Sequence, residues 1–280
     1  MKNQLSLLFV ASIVTTTSAA WAAPAVPDGE TPTTVAARPA VQAPTGVADD
    51  PNIDRGFIQP TAMTQPAGSL TYNNYELLLH GLTYGITNHL QTSVTVLAPI
   101  VRDMPLVGVA AVKWQFLSTS RLQLALQGST TFARAATGNI DPPVGTDTGT
   151  TSRNAYLVGG GAFASYCLRE DCSSLASVNA TYQLAFGGGS NEKAQAIVYG
   201  ASIVHRVSPH VKLLGEITSI AATTVADSNF TNASGALVSY GIRLHTAKIA
   251  SDIGFMKPVS TGDDSSFVLG LPFINVSYRW

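Results

Sequence analysis

The sequence predicts an all-β protein, a single antiparallel up-and-down β-barrel that crosses a membrane with about twelve strands, ten or fourteen being the neighbouring counts. Three observations carry this expectation. Of 280 residues, 45% are hydrophobic and only 12% charged, about half the charge of an ordinary soluble domain, and mean hydropathy is +0.20. Beyond the leader, no stretch approaches the roughly 20 consecutive apolar residues of a spanning helix. Apolar residues instead return at every second position over long runs, the period of a strand whose two faces meet different surroundings. Lipid cannot hydrogen-bond a backbone amide, so a sheet in a membrane must close on itself.

The elements follow in order. Lys2, the apolar run Leu5 to Val14 and Ala20-Trp21-Ala22 read as a signal peptide over 1–22, cleaved before Ala23. No cysteine lies near that site, so a lipoprotein anchor is not expected. Residues 23–54, rich in Pro, Ala, Thr and Val, have no period that buries a face and are expected to be a disordered periplasmic linker. The barrel is assigned to 55–280. An exported chain ending in a barrel places the protein in the cell outer membrane.

Within 55–280 the runs 70–86, 89–98, 107–117, 121–134, 154–167, 175–186, 194–207, 210–223, 236–246, 248–258 and 267–280 read as strands. In one of them Leu122, Leu124, Leu126, Thr130 and Phe132 oppose Gln123, Gln127, Ser129 and Thr131; in another Val238, Tyr240, Ile242 and Leu244 oppose Ser239, Gly241, Arg243 and His245. A helix cannot keep that period. An even count with both ends periplasmic needs one more ascending strand, and Gly56 to Met63 is the candidate. Short connections near Ser118–Ser120, Ser208-Pro209 and Thr246-Ala247 alternate with long ones at Ala135–Thr151, Gly187–Glu192, Val225–Thr231 and Pro258–Ser265, as periplasmic turns alternate with outer loops.

The lipid face is assigned Leu77, Leu79, Val94, Val96, Val112, Trp114, Phe116, Leu124, Leu126, Val178, Leu184, Val238, Ile242, Ile253, Phe255 and Val276. Tyr75, Tyr182, Tyr199, Tyr240, Tyr278 and Trp280 are assigned to the aromatic girdles. A charge facing lipid at midplane costs roughly 2–4 kcal/mol. Glu76, His80, Lys113, Arg206, Lys212, Glu216, Arg243, Lys248, Asp252 and Arg279 are therefore assigned to the lumen or to positions near a rim. Basic residues outnumber acidic ones there, so the lumen either favours anions or is plugged by charges pairing across it. Cys167 and Cys172 either close a small loop in an oxidising periplasm or stay as two thiols.

The chain ends Phe273-Ile274-Asn275-Val276-Ser277-Tyr278-Arg279-Trp280, with Ile274, Val276, Tyr278 and Trp280 on one face and the aromatic last. Here the sequence resembles bacterial outer-membrane β-barrel proteins, whose last strand ends in an aromatic, usually Phe, that the barrel-assembly machinery recognises. Arg55-Gly56-Phe57-Ile58-Gln59-Pro60-Thr61-Ala62, with Tyr84-Gly85-Ile86-Thr87-Asn88 closing a hairpin, looks like the opening of an uncharacterised porin-like group. The resemblance implies the mode of insertion and the barrel fold, and assigns no cargo.

No Gly-x-Ser-x-Gly, His-Glu-x-x-His, phosphate loop or Cys-x-x-Cys is present, so no catalytic, cofactor or metal residue is assigned. A net charge of −1 gives no reason to expect nucleic acid. The leading expectation is a porin-like channel for small polar solutes with outer-membrane lipid around it. The alternative is a non-conducting structural or adhesive surface barrel. A lipid hydrolase pairing a serine with a histidine such as His80 on the outer wall is a third.

Overall fold

The structure is a computed structural model that describes residues 49–97, 106–135, 153–187, 193–226, 229–259 and 270–280. The expected signal peptide and most of the expected linker lie outside these residues. Twelve strands form one closed barrel: β1 (Leu70–Tyr75), β2 (Leu79–Thr87), β3 (Leu90–Leu97), β4 (Leu106–Ser118), β5 (Leu122–Ala135), β6 (Arg153–Cys167), β7 (Leu175–Gly187), β8 (Lys193–Ser208), β9 (Val211–Ala226), β10 (Asn229–His245), β11 (Ile249–Val259) and β12 (Leu271–Arg279). Each pairs antiparallel with its neighbours in sequence, and β1 pairs with β12 (Asn73 opposite Ser277) to remove the last edge.

The expected count is met by a different hairpin. The run 70–86 is not one strand; it breaks at Glu76 and Leu77, two consecutive residues with positive φ (52° and 61°), and folds back as β1 and β2 with Tyr75 opposite Leu79. Tyr75-Glu76-Leu77-Leu78 carries no Gly, Pro, Asn or Asp, so the usual chemical marks of a hairpin turn are missing. Conversely, 56–63 is not in the wall. Pro60 lacks the amide that a strand paired on both sides must donate, and the segment instead lies inside the barrel. The expected long loop over 225–231 is also corrected: β9 runs to Ala226 and β10 begins at Asn229.

Two of the short turns are built on threonine hydroxyls. Thr119 accepts the Leu122 amide at 2.8 Å and Thr246 accepts the Ile249 amide at 3.1 Å, a local substitute for a ladder bond. The turn 168–174 is closed by a Cys167–Cys172 disulfide, which resolves the cysteine alternatives. Alternation assigns the wall as expected for most positions: Trp114, Phe116, Leu126, Val178, Ile253 and Val276 are exposed on the outside while Lys113, Gln123, Gln127, Ser129 and Thr131 are buried within. Leu79 is a correction, since it packs inward against Leu97, Val107 and Val109. Tyr75 is another, being turned into the lumen rather than into a girdle.

Candidate functional site

The site is the lumen, and what fills it is the chain's own residues 49–66. Pro51, Pro60 and Pro66 keep this stretch out of any ladder, and it enters beside the short turns, turns back at 56–59 and returns to β1. The turn is a single antiparallel bridge, Arg55 to Pro60, with the Gly56 amide donating to the Gln59 carbonyl at 2.8 Å. Asp50–Asp54, which the sequence assigned to the linker, are buried here.

The charges assigned to the lumen hold this plug. Lys212 Nζ lies 2.6 Å from Asp50 Oδ2 and Arg243 Nη1 lies 3.1 Å from the same oxygen. Arg243 also grips Asp252 with two nitrogens, Nε at 2.6 Å and Nη2 at 3.1 Å. Asn52 Nδ2 adds a bond to Asp252 at 3.1 Å. Burial alone would raise the Asp50 carboxyl, but the Arg243 and Lys212 charges outweigh it and hold the group well below the usual carboxylate range.

Three further wall residues read the plug's backbone. One Glu216 oxygen accepts the amides of Phe57, Ile58 and Gln59 at 3.1, 3.1 and 2.9 Å. Lys113 Nζ donates to the carbonyls of Asp54 and Thr61, both at 3.1 Å. Ser165 Oγ accepts the Ala62 amide at 2.9 Å. In return Arg55 reaches the wall, donating to Asn73 Oδ1 at 2.7 Å, to Ser277 Oγ at 2.8 Å and to the Tyr75 hydroxyl. The apolar members interlock too. Ile53, Phe57 and Met63 of the plug pack with Leu175, Val204, Leu214, Phe273 and both half-cystines. Phe57 sits where a side chain at Gly254 would collide with it.

The basic excess of the wall is therefore answered from inside. Around the plug, Arg55, Lys113, Lys212, Arg243 and Arg279 face Asp50, Asp54, Glu216 and Asp252, with Asp54 held by Gln65 and Gln91 at 3.1 Å each. Arg243 and Asp252 are 0% exposed and Lys113 and Lys212 are 1% exposed. These groups do not line open water. Buried charges survive only when paired and hydrogen-bonded, and here half the partners belong to the plug.

Four of the charges assigned to the lumen or a rim do not face the lumen: Glu76, Lys248 and Arg206 sit at a rim and His80 faces out. Glu76 is exposed at the β1–β2 turn and Lys248 is exposed in the β10–β11 turn. His80 is on the outer face of β2, between inward-facing Leu79 and Gly81; odd-numbered positions face inward in both β1 and β2, so here the leucine is inside and the histidine outside. Arg206 is at the rim, with its Nη1 3.8 Å from Asp171 Oδ2. His80 Nδ1 is 2.7 Å from the Tyr72 hydroxyl and 3.2 Å from Asn74 Nδ2. Among the described residues no serine pairs with it, and none of their His, Cys, Asp and Glu side chains form a metal-binding group.

No family model and no curated protein sequence matches the chain. Solved structures do. The outer-membrane expressed OmpT of Vibrio cholerae is 12% identical, with a TM-score of 0.44 over 72% of this chain and 64% of that one. Its loop L8 deletion mutant, described as an outer membrane protein, gives 12% and 0.44 over 72% and 62%. LpxR from Salmonella typhimurium gives 10% and 0.37 over 76% and 99%. The chain resembles outer-membrane β-barrel proteins. It spans less than two thirds of the Vibrio chains' length, and the closed twelve-stranded fold rests on its own strand register.

Proposed function

We propose that this protein is a self-plugged outer-membrane barrel, closed to passive diffusion at rest, that serves as a structural module in the membrane. The observation that supports this is the buried Lys212–Asp50–Arg243–Asp252 network, which joins the plug to three consecutive wall strands, β9, β10 and β11, and leaves those charges no water to conduct through. The porin-like reading needs the same lumen wet, and so needs residues 49–66 withdrawn. Insertion would use the barrel-assembly machinery, through the outward row Ile274, Val276, Tyr278 and Trp280 on the strand that closes the barrel. The test is conductance of the full chain in planar bilayers. The wild-type protein should be silent, and Asp50→Ala should give bursts with an anion-favouring reversal potential, since Lys212 would then face the lumen uncompensated. Steady wild-type conductance would refute the closed barrel.

A further inference from the structure

The barrel wall is uneven in height. β1 has 6 residues, β2 has 9 and β3 has 8, whereas β8, β9 and β10 have 16, 16 and 17. At about 3.3 Å per residue and a tilt of roughly 40°, the shortest strand rises only about 15 Å, against the ~25 Å apolar band of such barrels. Its foot is anchored, because the Trp280 amide donates to the Leu70 carbonyl at 2.9 Å. The missing height is therefore at the β1–β2 turn. That turn carries Glu76, whose carboxylate accepts the Ile274 amide at 2.6 Å, and Leu77, which is 79% exposed. A carboxylate cannot rest in hydrocarbon without large cost, and a bilayer meets a short wall by thinning. The polar boundary must dip to this turn.

Just below it, the outer face carries three polar side chains in mutual contact. Asn74 and His80 are register partners. Asn74 Nδ2 lies 3.2 Å from both the Tyr72 hydroxyl oxygen and His80 Nδ1, and that hydroxyl is 2.7 Å from Nδ1. An amide nitrogen only donates, so Nδ1 accepts, and the neutral ring carries its hydrogen on Nε2. Nε2 has no partner among the described residues and lies on the membrane side of the wall. Around it Leu82, Val94, Val96, Ile274 and Val276 are exposed.

We propose that this cluster is a lipid site, in which His80 Nε2–H donates to an ester or phosphoryl oxygen of an outer-leaflet lipid drawn down over the low β1–β2 wall. The acyl chains would lie along Leu82, Val94, Val96 and Val276. A neighbouring strand is a poor alternative occupant, because β1, β2 and β12 are already paired on both sides and have no free edge to offer.

Native mass spectrometry of the full chain in detergent tests this, with phosphatidylethanolamine and lipopolysaccharide added in separate arms. Phospholipid and lipopolysaccharide share the ester and phosphoryl oxygens, so the arm that retains lipid names the source. The wild-type protein should retain lipid in at least one arm, and His80→Leu should weaken that retention by about tenfold, the worth of one hydrogen bond in a low-dielectric site. Asn74→Leu, which frees Nδ1 of one donor, should weaken it less, and serves as the second variant should His80→Leu not fold, with heat-modifiable migration reporting a closed barrel. Equal retention by wild type and both variants would overturn the site, as would a dimer that His80→Leu dissociates.

Discussion

The β9–β10 and β1–β2 hairpins use the same two-residue period, but only the second also carries a polar cluster on its outer face. In β9–β10, Lys212, Glu216 and Arg243 point inward to the plug while Leu213, Ile217 and Ile242 are exposed outside. In β1–β2, Asn73 and Tyr75 face the plug, but Tyr72, Asn74 and His80 form a polar cluster on the outer face. The tall hairpin has lipid along its height; the short one ends beside the polar boundary of the membrane. Polarity on a barrel wall thus reports both whether a residue faces in or out and how high the wall stands at that point.

The sharpest way to break the comparison is on the tall side. Arg243→Ala leaves Asp252 and part of Asp50 buried without a charge partner, and should cost on the order of 3–5 kcal/mol, read as a lower denaturant midpoint of the refolded barrel. Replacing both cysteines by serine should cost about 2 kcal/mol through the small loop that the bond closes. The loss should be read by the same unfolding curve, together with faster proteolysis near Ile53, which packs on the half-cystines.

On the short side, His80→Leu should leave the unfolding midpoint within about 1 kcal/mol of wild type, since a polar group leaves a lipid-facing position. A large loss there would mean that the cluster holds the hairpin together. The smallest effect is with pH. The Asp50 carboxyl is depressed in the folded chain, so its contribution is complete above the unfolded value of about 3.9 and is lost as the pH falls below it. Bilayer recordings should therefore stay silent from neutral pH down to about 4, and openings should appear only in stronger acid.

Much of the fold was legible because lipid is an unforgiving solvent. Alternation placed Val178, Ile253 and Val276 outside and Lys113, Lys212, Arg243 and Asp252 inside without any knowledge of register. The plug left weaker marks. Pro60 argued against a wall strand, and inward glycines such as Gly254 left room that Phe57 takes, yet neither names what the room is for. His80 was misplaced because polarity is inverted here: odd-numbered positions face inward in both β1 and β2, so Leu79 packs inside and the polar row Tyr72, Asn74 and His80 lies outside.

By itself the amino-acid order determined a closed antiparallel barrel with an apolar exterior, a polar interior and a final strand ending in Trp280. Each of those depends only on which solvent a side chain must meet. Tertiary structure alone decided that residues 49–66 occupy the lumen, that Asp50 completes the wall's ion pairs, and that the wall falls low at β1. Those depend on contacts between Asp50 and Arg243, 193 residues apart, or Arg55 and Ser277, 222 apart, and no local period encodes so distant a partner.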